Sequence, residues 1–184
     1  MIGLAEASAR FGFIPFEFSS GAWRDDAVRA VLSPLASAFF QRDILGAVFN
    51  GVFVLIAGRF VEKAIGPVGL AVVFVAGCYA GALLRLILTP ESVLPSAGFT
   101  PALFAIVGAY LMLYGVPQAL PVPRNRPRVV QIGILALFWL LVQVAFSIAA
   151  RSFEISVSIL DPLGGLVAGL LLARPLMAWR YRGA

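Results

Sequence analysis

Residues 67–89 read PVGLAVVFVAGCYAGALLRLILT, an apolar run whose one charged side chain is Arg85. A helix needs about 20 apolar residues to cross a hydrocarbon core roughly 30 Å thick, so this run is long enough to span a membrane. Four further apolar runs lie at 44–61, 98–115, 129–150 and 162–178. The sequence therefore predicts an all-α, polytopic membrane helical bundle with five transmembrane helices.

The composition supports the same class. The chain has 184 residues, of which 61% are hydrophobic and 12% are charged, and its mean hydropathy is +0.97. Soluble domains average about a quarter charged residues, so this chain cannot cover a surface that faces water. It has no histidine and a single cysteine, Cys78, which excludes the usual zinc, haem and histidine-based proton-transfer sites. We expect no cofactor and no metal.

The distribution of charge indicates the orientation of the helices, because translocated loops are depleted in lysine and arginine. One predicted side holds a single acid, Glu62, and eight bases: Arg59, Lys63, Arg124, Arg126, Arg128, Arg174, Arg180 and Arg182. The opposite side holds six bases and eight acids. We therefore expect the N-terminus outside and the C-terminus in the cytoplasm, in a bacterial inner membrane. The net charge of +5 is explained by this asymmetry, so the lipid bilayer is an expected partner and nucleic acid is not.

The ends of the chain differ from the apolar runs. Residues 1–43 are predicted to form an amphipathic N-terminal segment on the outer side, residues 44–178 the transmembrane bundle, and residues 179–184 a cytoplasmic tail. Within the first segment, 27–40 is too short to span, is interrupted by Pro34, and is predicted to lie in the membrane interface. A cleaved signal peptide is not expected, because residues 1–10 contain no apolar core.

Small residues mark where the helices are expected to touch, because close backbone approach drives helix packing in lipid. Two pairs have the small-xxx-small spacing, and three more glycines lie in the first span: Gly77 and Gly81, Gly165 and Gly169, then Gly46, Gly51 and Gly58. Residues 151–160 instead alternate apolar and polar side chains, a pattern typical of an extended strip. We expect this strip to form a flap across the outer mouth of the bundle.

Five stretches, in order, resemble motifs of the rhomboid family of intramembrane serine proteases. GFIP at 12–15 is similar to the entry of the family's first loop, FFQRDILGAVFN at 39–50 to the loop into its second helix, and GRFVEKAIG at 58–66 to a G-x-x-x-E-x-x-x-G helix ending. GFTPALFAIVGAYL at 98–111 resembles the Gly-x-Ser-Gly helix, and DPLGGLVAG at 161–169 resembles the helix that begins His-x-Gly-Gly. The resemblance implies a rhomboid-like bundle over residues 12–178.

The same register implies that the catalytic residues have been replaced. Thr100 stands at the position of the nucleophilic serine, and Pro101 at that of the glycine after it. Pro162 stands at the position of the base histidine. The remaining family positions hold Gly46 for the second-helix histidine, Gln41 for the loop histidine, and Asn50 for the asparagine that helps to stabilise the oxyanion. A hydroxyl is a weak nucleophile without an adjacent base, so the resemblance implies a catalytically degenerate, pseudoprotease-like member with no catalytic residues.

Thr100 and Asp161 have a simpler explanation than catalysis. Each precedes a proline, and a Thr or Asp followed by proline is typical of a helix N-cap and first position. We therefore predict that both residues cap helices, and catalysis by Thr100 with Asp161 as base is the remote alternative.

Other polar residues in the spans are given structural roles. Arg85 is expected to snorkel outward past Glu91, and Asn50 to hydrogen-bond a neighbouring helix. Glu62 is expected to pair with Arg59 and Lys63 at a helix end. Cys78 is expected to be a packing residue, and Gln143 to make an interhelical hydrogen bond.

The sequence leaves two functional hypotheses open. The family's usual first helix is expected to be missing before residue 12, so either the true start lies upstream or the bundle has lost this helix. Loss of the helix would open a groove beside the later helices. A non-catalytic protein that binds transmembrane helices of other membrane proteins, as inactive rhomboids and derlins do, is the first hypothesis. A fixed accessory or assembly subunit of a respiratory or photosynthetic complex is the second.

Overall fold

Every regular element in the described part of the chain is helical. The computed structural model describes residues 11–40, 44–115, 125–127, 130–135, 137 and 160–182. Its helices are α1 (Pro15–Ser19), a 3-10 turn (Ala22–Arg24), α2 (Ala27–Ser37), α3 (Ile44–Leu88), α4 (Thr100–Tyr114) and α5 (Leu160–Arg180). The all-helical fold class is confirmed.

A kink divides α3 into the first two predicted spans. Gly66 has φ 81° and ψ 168°, a backbone conformation that a side chain would disfavour. Pro67 follows, and proline cannot continue the preceding turn without losing a hydrogen bond and clashing with it. The first limb (residues 44–65) and the second limb (residues 67–88) each have a length of about 33 Å at 1.5 Å per residue, close to the thickness of a hydrocarbon core.

The later helices only partly match the predicted spans. Two described helices are long and apolar enough to cross a membrane, Asn50–Leu88 and Leu160–Arg180. α4 has 15 residues and begins two residues later than predicted, because Gly98 turns the chain with φ 101°. Of the predicted fourth span, only the start is described: residues 130–135 are helical, and Ile132 packs against Leu111 and Leu166.

The two limbs of α3 run in opposite directions, and α4 and α5 both run parallel to the first limb, so the helix ends gather at two opposite ends of the bundle. At one end, which we call the polar end, Asn50 contacts Thr100 and Arg85 lies close to Asp161. At the other, which we call the basic end, the Tyr114 hydroxyl donates to the Phe60 carbonyl at 2.9 Å. This grouping is the one that the charge asymmetry predicts.

The basic end differs from the sequence prediction in one contact. Arg180 Nη1 donates to the carbonyl oxygens of Glu62 at 3.1 Å and Lys63 at 2.6 Å. The described residues contain no ion pair between Glu62 and either Arg59 or Lys63, so that expectation was wrong. All three side chains are exposed, where water screens such pairs, while the last carbonyls of a helix attract a cation.

Both predicted glycine pairs lie at helix contacts. A Cβ on Gly165 or Gly169 would overlap the carbonyl oxygen of Pro101 or Ala105, so α4 and α5 meet backbone to backbone. A Cβ on Gly77 would lie 2.6 Å from Ala105 Cβ.

Gly51 and Gly58 of the first span do not share this role. A Cβ on Gly51 would meet nothing within 4 Å, and one on Gly58 would meet only the Leu70 side chain at 3.8 Å. Spacing alone could not show which helix face meets a partner.

The bundle has an apolar core and also exposes many large apolar side chains. Its core includes Val61, Ile65, Val73, Ile106 and Ala109, whereas several large apolar side chains are exposed, among them Leu55, Ile87 and Leu171. An exposed apolar surface of this extent suits lipid rather than water.

α2 continues through Pro34, contrary to the predicted interruption. Proline has no N–H to donate to the Ala30 carbonyl, but the Ser33 hydroxyl donates to that oxygen at 2.7 Å. The helix begins at Asp26, whose carboxylate accepts from the Arg29 N–H at 3.1 Å. Val28, Val31 and Leu32 form an exposed apolar strip, which fits an interfacial helix, and that location stays a prediction.

Candidate functional site at the polar end

Thr100 is the first residue of α4, and its side chain points to another helix. Phe99 occupies the N-cap position, and its carbonyl accepts from the Leu103 N–H at 2.9 Å. Thr100 Oγ1 accepts from Asn50 Nδ2 at 3.3 Å. The predicted capping role of Thr100 was therefore wrong, because the residue lies one position inside the helix. The predicted interhelical hydrogen bond of Asn50 is confirmed.

Pro162 lies in the first turn of α5, next to the start of α4. Asp161 and Pro162 are both buried. Gly81, on the second limb of α3, lies against both helix starts, since a Cβ there would be 2.8 Å from the Asp161 carbonyl oxygen and 2.8 Å from Pro101 Cβ. The residues adjoining Thr100 and Pro162 therefore meet across one glycine, as the resemblance implies for the two former catalytic positions.

Arg85 was predicted to snorkel outward, but it is buried. Its exposed fraction is 6%, and its Nη1 donates to Ser96 Oγ at 2.7 Å. Nη2 donates to the Leu94 carbonyl at 2.8 Å and to Ser92 Oγ at 3.2 Å. The loop of residues 89–98 folds back over the end of α3. Oxygen atoms of this loop bind the guanidinium, which therefore does not extend past Glu91 toward water.

Asp161 completes this cluster. Its Oδ2 lies 3.7 Å from Arg85 Nη1 and accepts from Ser96 Oγ at 3.5 Å. The pair joins the second limb of α3 to the first turn of α5, and both side chains are nearly buried. A buried carboxylate and guanidinium stabilise each other's charged form when both are also hydrogen-bonded. The predicted N-cap position of Asp161 was wrong, because α5 already includes Leu160 and Asp161 lies inside the helix.

The N-terminal segment holds the same loop from the opposite side. The Ser96 N–H donates to the Phe13 carbonyl at 2.8 Å, and the Phe16 N–H donates to the Ser92 carbonyl at 3.2 Å. The Gly98 N–H donates to the Ser37 carbonyl at 2.9 Å. The loop that leads into Thr100 is thus fixed between Arg85 on one side and residues 13–37 on the other.

Sequence reasoning missed the serines of this cluster. Ser92 and Ser96 lie in a polar loop and have no spacing that marks them. Arg85 and Asp161 had a usable signal: they are opposite charges near span ends that the topology places on the same side. Treated together, they predict an ion pair, because an isolated charge is costly at membrane depth.

The remaining candidate positions are only partly described. Gly46 lies in the first limb of α3, one turn before Asn50, so the two residues share a helix face. Cys78 is buried beside Ala38 and Ala102, which fits the predicted packing role. Gln41, Gln143 and nearly all of the predicted flap at 151–160 lie outside the described residues, and Leu160 is the first residue of α5.

Among the described residues, the polar end brings together hydroxyls, an amide and an ion pair. The amide of Asn50 cannot take a proton from Thr100, and Pro162 has no side-chain group that exchanges protons. The Asp161 carboxylate faces Arg85 and Ser96, not Thr100. These contacts can hold four helical segments together.

The family comparison agrees with this architecture. The family model described as the rhomboid domain matches residues 28–179, which include Asn50, Thr100 and Pro162. No curated protein and no solved structure matches the chain. Rhomboid proteins are integral membrane proteins and are usually serine proteases. Because the match covers well over half of the sequence, this chain belongs to the rhomboid family.

Proposed function

We propose that this rhomboid-family membrane protein is non-catalytic and binds the transmembrane helices of partner proteins. The observation that carries the proposal is the location of Pro162. It lies at the start of α5 beside the start of α4, where the resemblance implies the catalytic histidine, and the chain has no histidine to replace it. General-base help is worth about a hundred- to ten-thousand-fold in rate, and no histidine is present to provide it.

The surroundings of Thr100 support the loss of chemistry. Its oxygen accepts a hydrogen bond from Asn50, the residue that the family uses at the oxyanion. Pro101 replaces a glycine and has no N–H to donate. The described residues therefore offer neither a base beside the Thr100 hydroxyl nor a backbone donor at Pro101.

Retention of the helix packing supports a binding role. α4 and α5 approach so closely that Gly165 and Gly169 admit no side chain, and this geometry does not depend on catalysis. The first limb presents Val48, Val52 and Ile56 to the membrane, on the limb that carries Asn50. A second transmembrane helix can pack on this apolar surface.

Site-specific photocrosslinking tests the binding role. A photoreactive residue at Val52 should capture a co-reconstituted single-pass helix more strongly than one at Leu171, an exposed aliphatic position on α5. The matched comparison removes the contribution of random collisions in the bilayer. Equal capture at the two positions, or equal capture of a scrambled helix, would contradict the proposal.

A protease assay tests the absence of catalysis. Incubation with a generic transmembrane substrate should give no product that depends on Thr100 or on Ser96, the hydroxyl that contacts a carboxylate. The variants Thr100→Ala and Ser96→Ala should therefore equal the wild-type protein. Product that disappears in either variant would identify an active protease.

Purification in mild detergent separates binding of many helices from a fixed assembly. Partner binding predicts a monomer with several weakly associated proteins. Stoichiometric co-migration with one large complex would instead identify an accessory or assembly subunit, the alternative that the sequence left open.

The proposal includes an orientation. The basic end carries the lysine and arginine excess, and translocated loops are depleted in these residues. We infer that the basic end faces the cytoplasm of a bacterial inner membrane, and that the polar end faces outward.

A further inference from the structure

The basic end brings positive charges from two helices onto one surface. Arg180 Nη1 binds the carbonyls of Glu62 and Lys63, and a Cβ on Gly66 would lie 3.7 Å from Arg180 Nε. The last turn of α5 is therefore anchored at the kink of α3. This anchor places the bases of α5 and its end beside those of the first limb.

These charges are not neutralised within the described part of the protein. The surface has five exposed bases and one exposed acid, Glu62; the bases are Arg59, Lys63, Arg174, Arg180 and Arg182. None of the five makes an ion pair with a described residue. A net positive surface of this kind attracts an anion.

Exposed aromatic and apolar side chains indicate which kind of anion fits. Tyr114, Trp179 and Tyr181 are exposed by 48%, 54% and 54%, and such rings favour the headgroup level of a bilayer. Val68 and Leu171 are exposed on the side toward the middle of the helices. The surface is thus cationic at its end and apolar beneath, which matches a molecule with an anionic head and a hydrocarbon tail.

We propose that the basic end binds an anionic phospholipid, with Lys63 and Arg182 contacting the headgroup and Trp179 beside the glycerol region. Arg180 is a positioning residue, because its guanidinium binds the Glu62 and Lys63 carbonyls and so holds the end of α5 at the kink of α3. A zwitterionic lipid offers the same tail without net charge and binds less well. The proposal stands apart from the helix-binding function, since the two use opposite ends of the molecule.

Fluorescence quenching by brominated lipids tests the proposal. The chain has three tryptophans, so the variant Trp23→Phe/Trp139→Phe leaves Trp179 as the one reporter. The full chain is reconstituted in phosphatidylcholine vesicles that contain brominated phosphatidylglycerol or, separately, brominated phosphatidylcholine. Quenching at equal mole fractions gives the relative binding constant of the anionic lipid near Trp179.

We expect this constant to exceed one and to fall at least about fivefold in Lys63→Gln/Arg182→Gln, since each base near an anionic surface contributes about a fivefold preference. The preference should also fall at high salt. Arg24→Gln removes an exposed base at the polar end and should leave it unchanged.

Three results would overturn the proposal. The first is a relative binding constant of one in the parent protein. The second is an unchanged constant in Lys63→Gln/Arg182→Gln. The third is displacement of the anionic lipid by inorganic phosphate at an ionic strength at which chloride does not displace it. The last result would mean that the surface binds free phosphate. The substituted side chains are exposed, so the fold is retained, and circular dichroism of each variant checks this.

Discussion

Arg85 is a buried cation whose charge is balanced by Asp161 on another helix. The guanidinium also holds three oxygens of the loop that leads into Thr100. Removing one partner of a buried pair leaves the other charge without compensation, which is costlier than removing both. The pair therefore links the stability of the bundle to the geometry around Thr100 and Pro162.

A double-mutant cycle measures this link. Arg85→Met should lower the free energy of unfolding by about 3–5 kcal/mol, and Arg85→Met/Asp161→Leu should lower it by much less than the sum of the single changes. The measurement is reversible unfolding in mixed detergent micelles. Arg29→Met is the control, because the Arg29–Glu17 pair is partly exposed and such pairs contribute about 1 kcal/mol or less. Additive penalties would contradict the pairing.

A second cycle concerns Asn50 and Thr100. Asn50→Ala and Thr100→Val should each cost about 0.6–2 kcal/mol, as expected for an interhelical hydrogen bond in a membrane. The double variant should cost little more than either single one. If Thr100 capped α4 instead, its substitution would cost the same with and without Asn50. The same unfolding assay distinguishes these outcomes.

The sequence predicted single residues well only where one contact decides their role. Asn50 needed a polar partner wherever it lay, so its hydrogen bond could be predicted. The prediction for Thr100 was wrong because a capping role depends on the exact residue at which the helix begins, and sequence spacing does not locate that residue. The prediction for Arg85 was wrong because the path of its side chain depends on how residues 89–98 fold. Nothing in the composition of these residues indicates that they cover the end of α3.

Helices in this protein meet through glycine faces that spacing identifies only in part. Gly165 and Gly169 touch carbonyl oxygens of α4, whereas Gly51 faces open space. All three were expected to lie at helix contacts, Gly165 and Gly169 from their spacing and Gly51 from the number of glycines in the first span. Which face of a span meets a neighbour depends on the rotation of the helix, and an almost uniformly apolar helix gives no pattern to fix that rotation.

Alanine substitutions test this difference between elements. Gly169→Ala should destabilise the bundle by about 1–3 kcal/mol or more, because the new methyl overlaps the Ala105 carbonyl and forces α4 and α5 apart. Gly51→Ala should be neutral or slightly stabilising, since alanine favours a helix over glycine. Thermal unfolding of the two variants in one detergent gives the comparison. Equal effects would mean that the close contact of α4 and α5 is incorrect.

On the scale of the whole molecule, the two ends of the bundle differ in chemistry. The polar end contains an internal ion pair and a loop fixed on both sides, and the basic end carries uncompensated positive charge. The sequence predicted this division because charge counts need only the order of the spans. It could not predict that Arg180 would bind the carbonyls next to the kink of α3, since Gly66 and Arg180 are far apart in the chain.

Cysteine labelling in intact cells tests the orientation that we infer from this division. In a Cys78→Ala background, Glu91→Cys reports on the polar end and Tyr181→Cys on the basic end, and both positions are exposed. A membrane-impermeant maleimide should label Glu91→Cys in intact cells, and Tyr181→Cys only after the cells are opened. The background without cysteine gives the blank, and labelling of both variants in opened cells controls for reactivity. The reverse pattern would place the basic end outside, which would mean that the positive charges at this end do not determine how the bundle inserts.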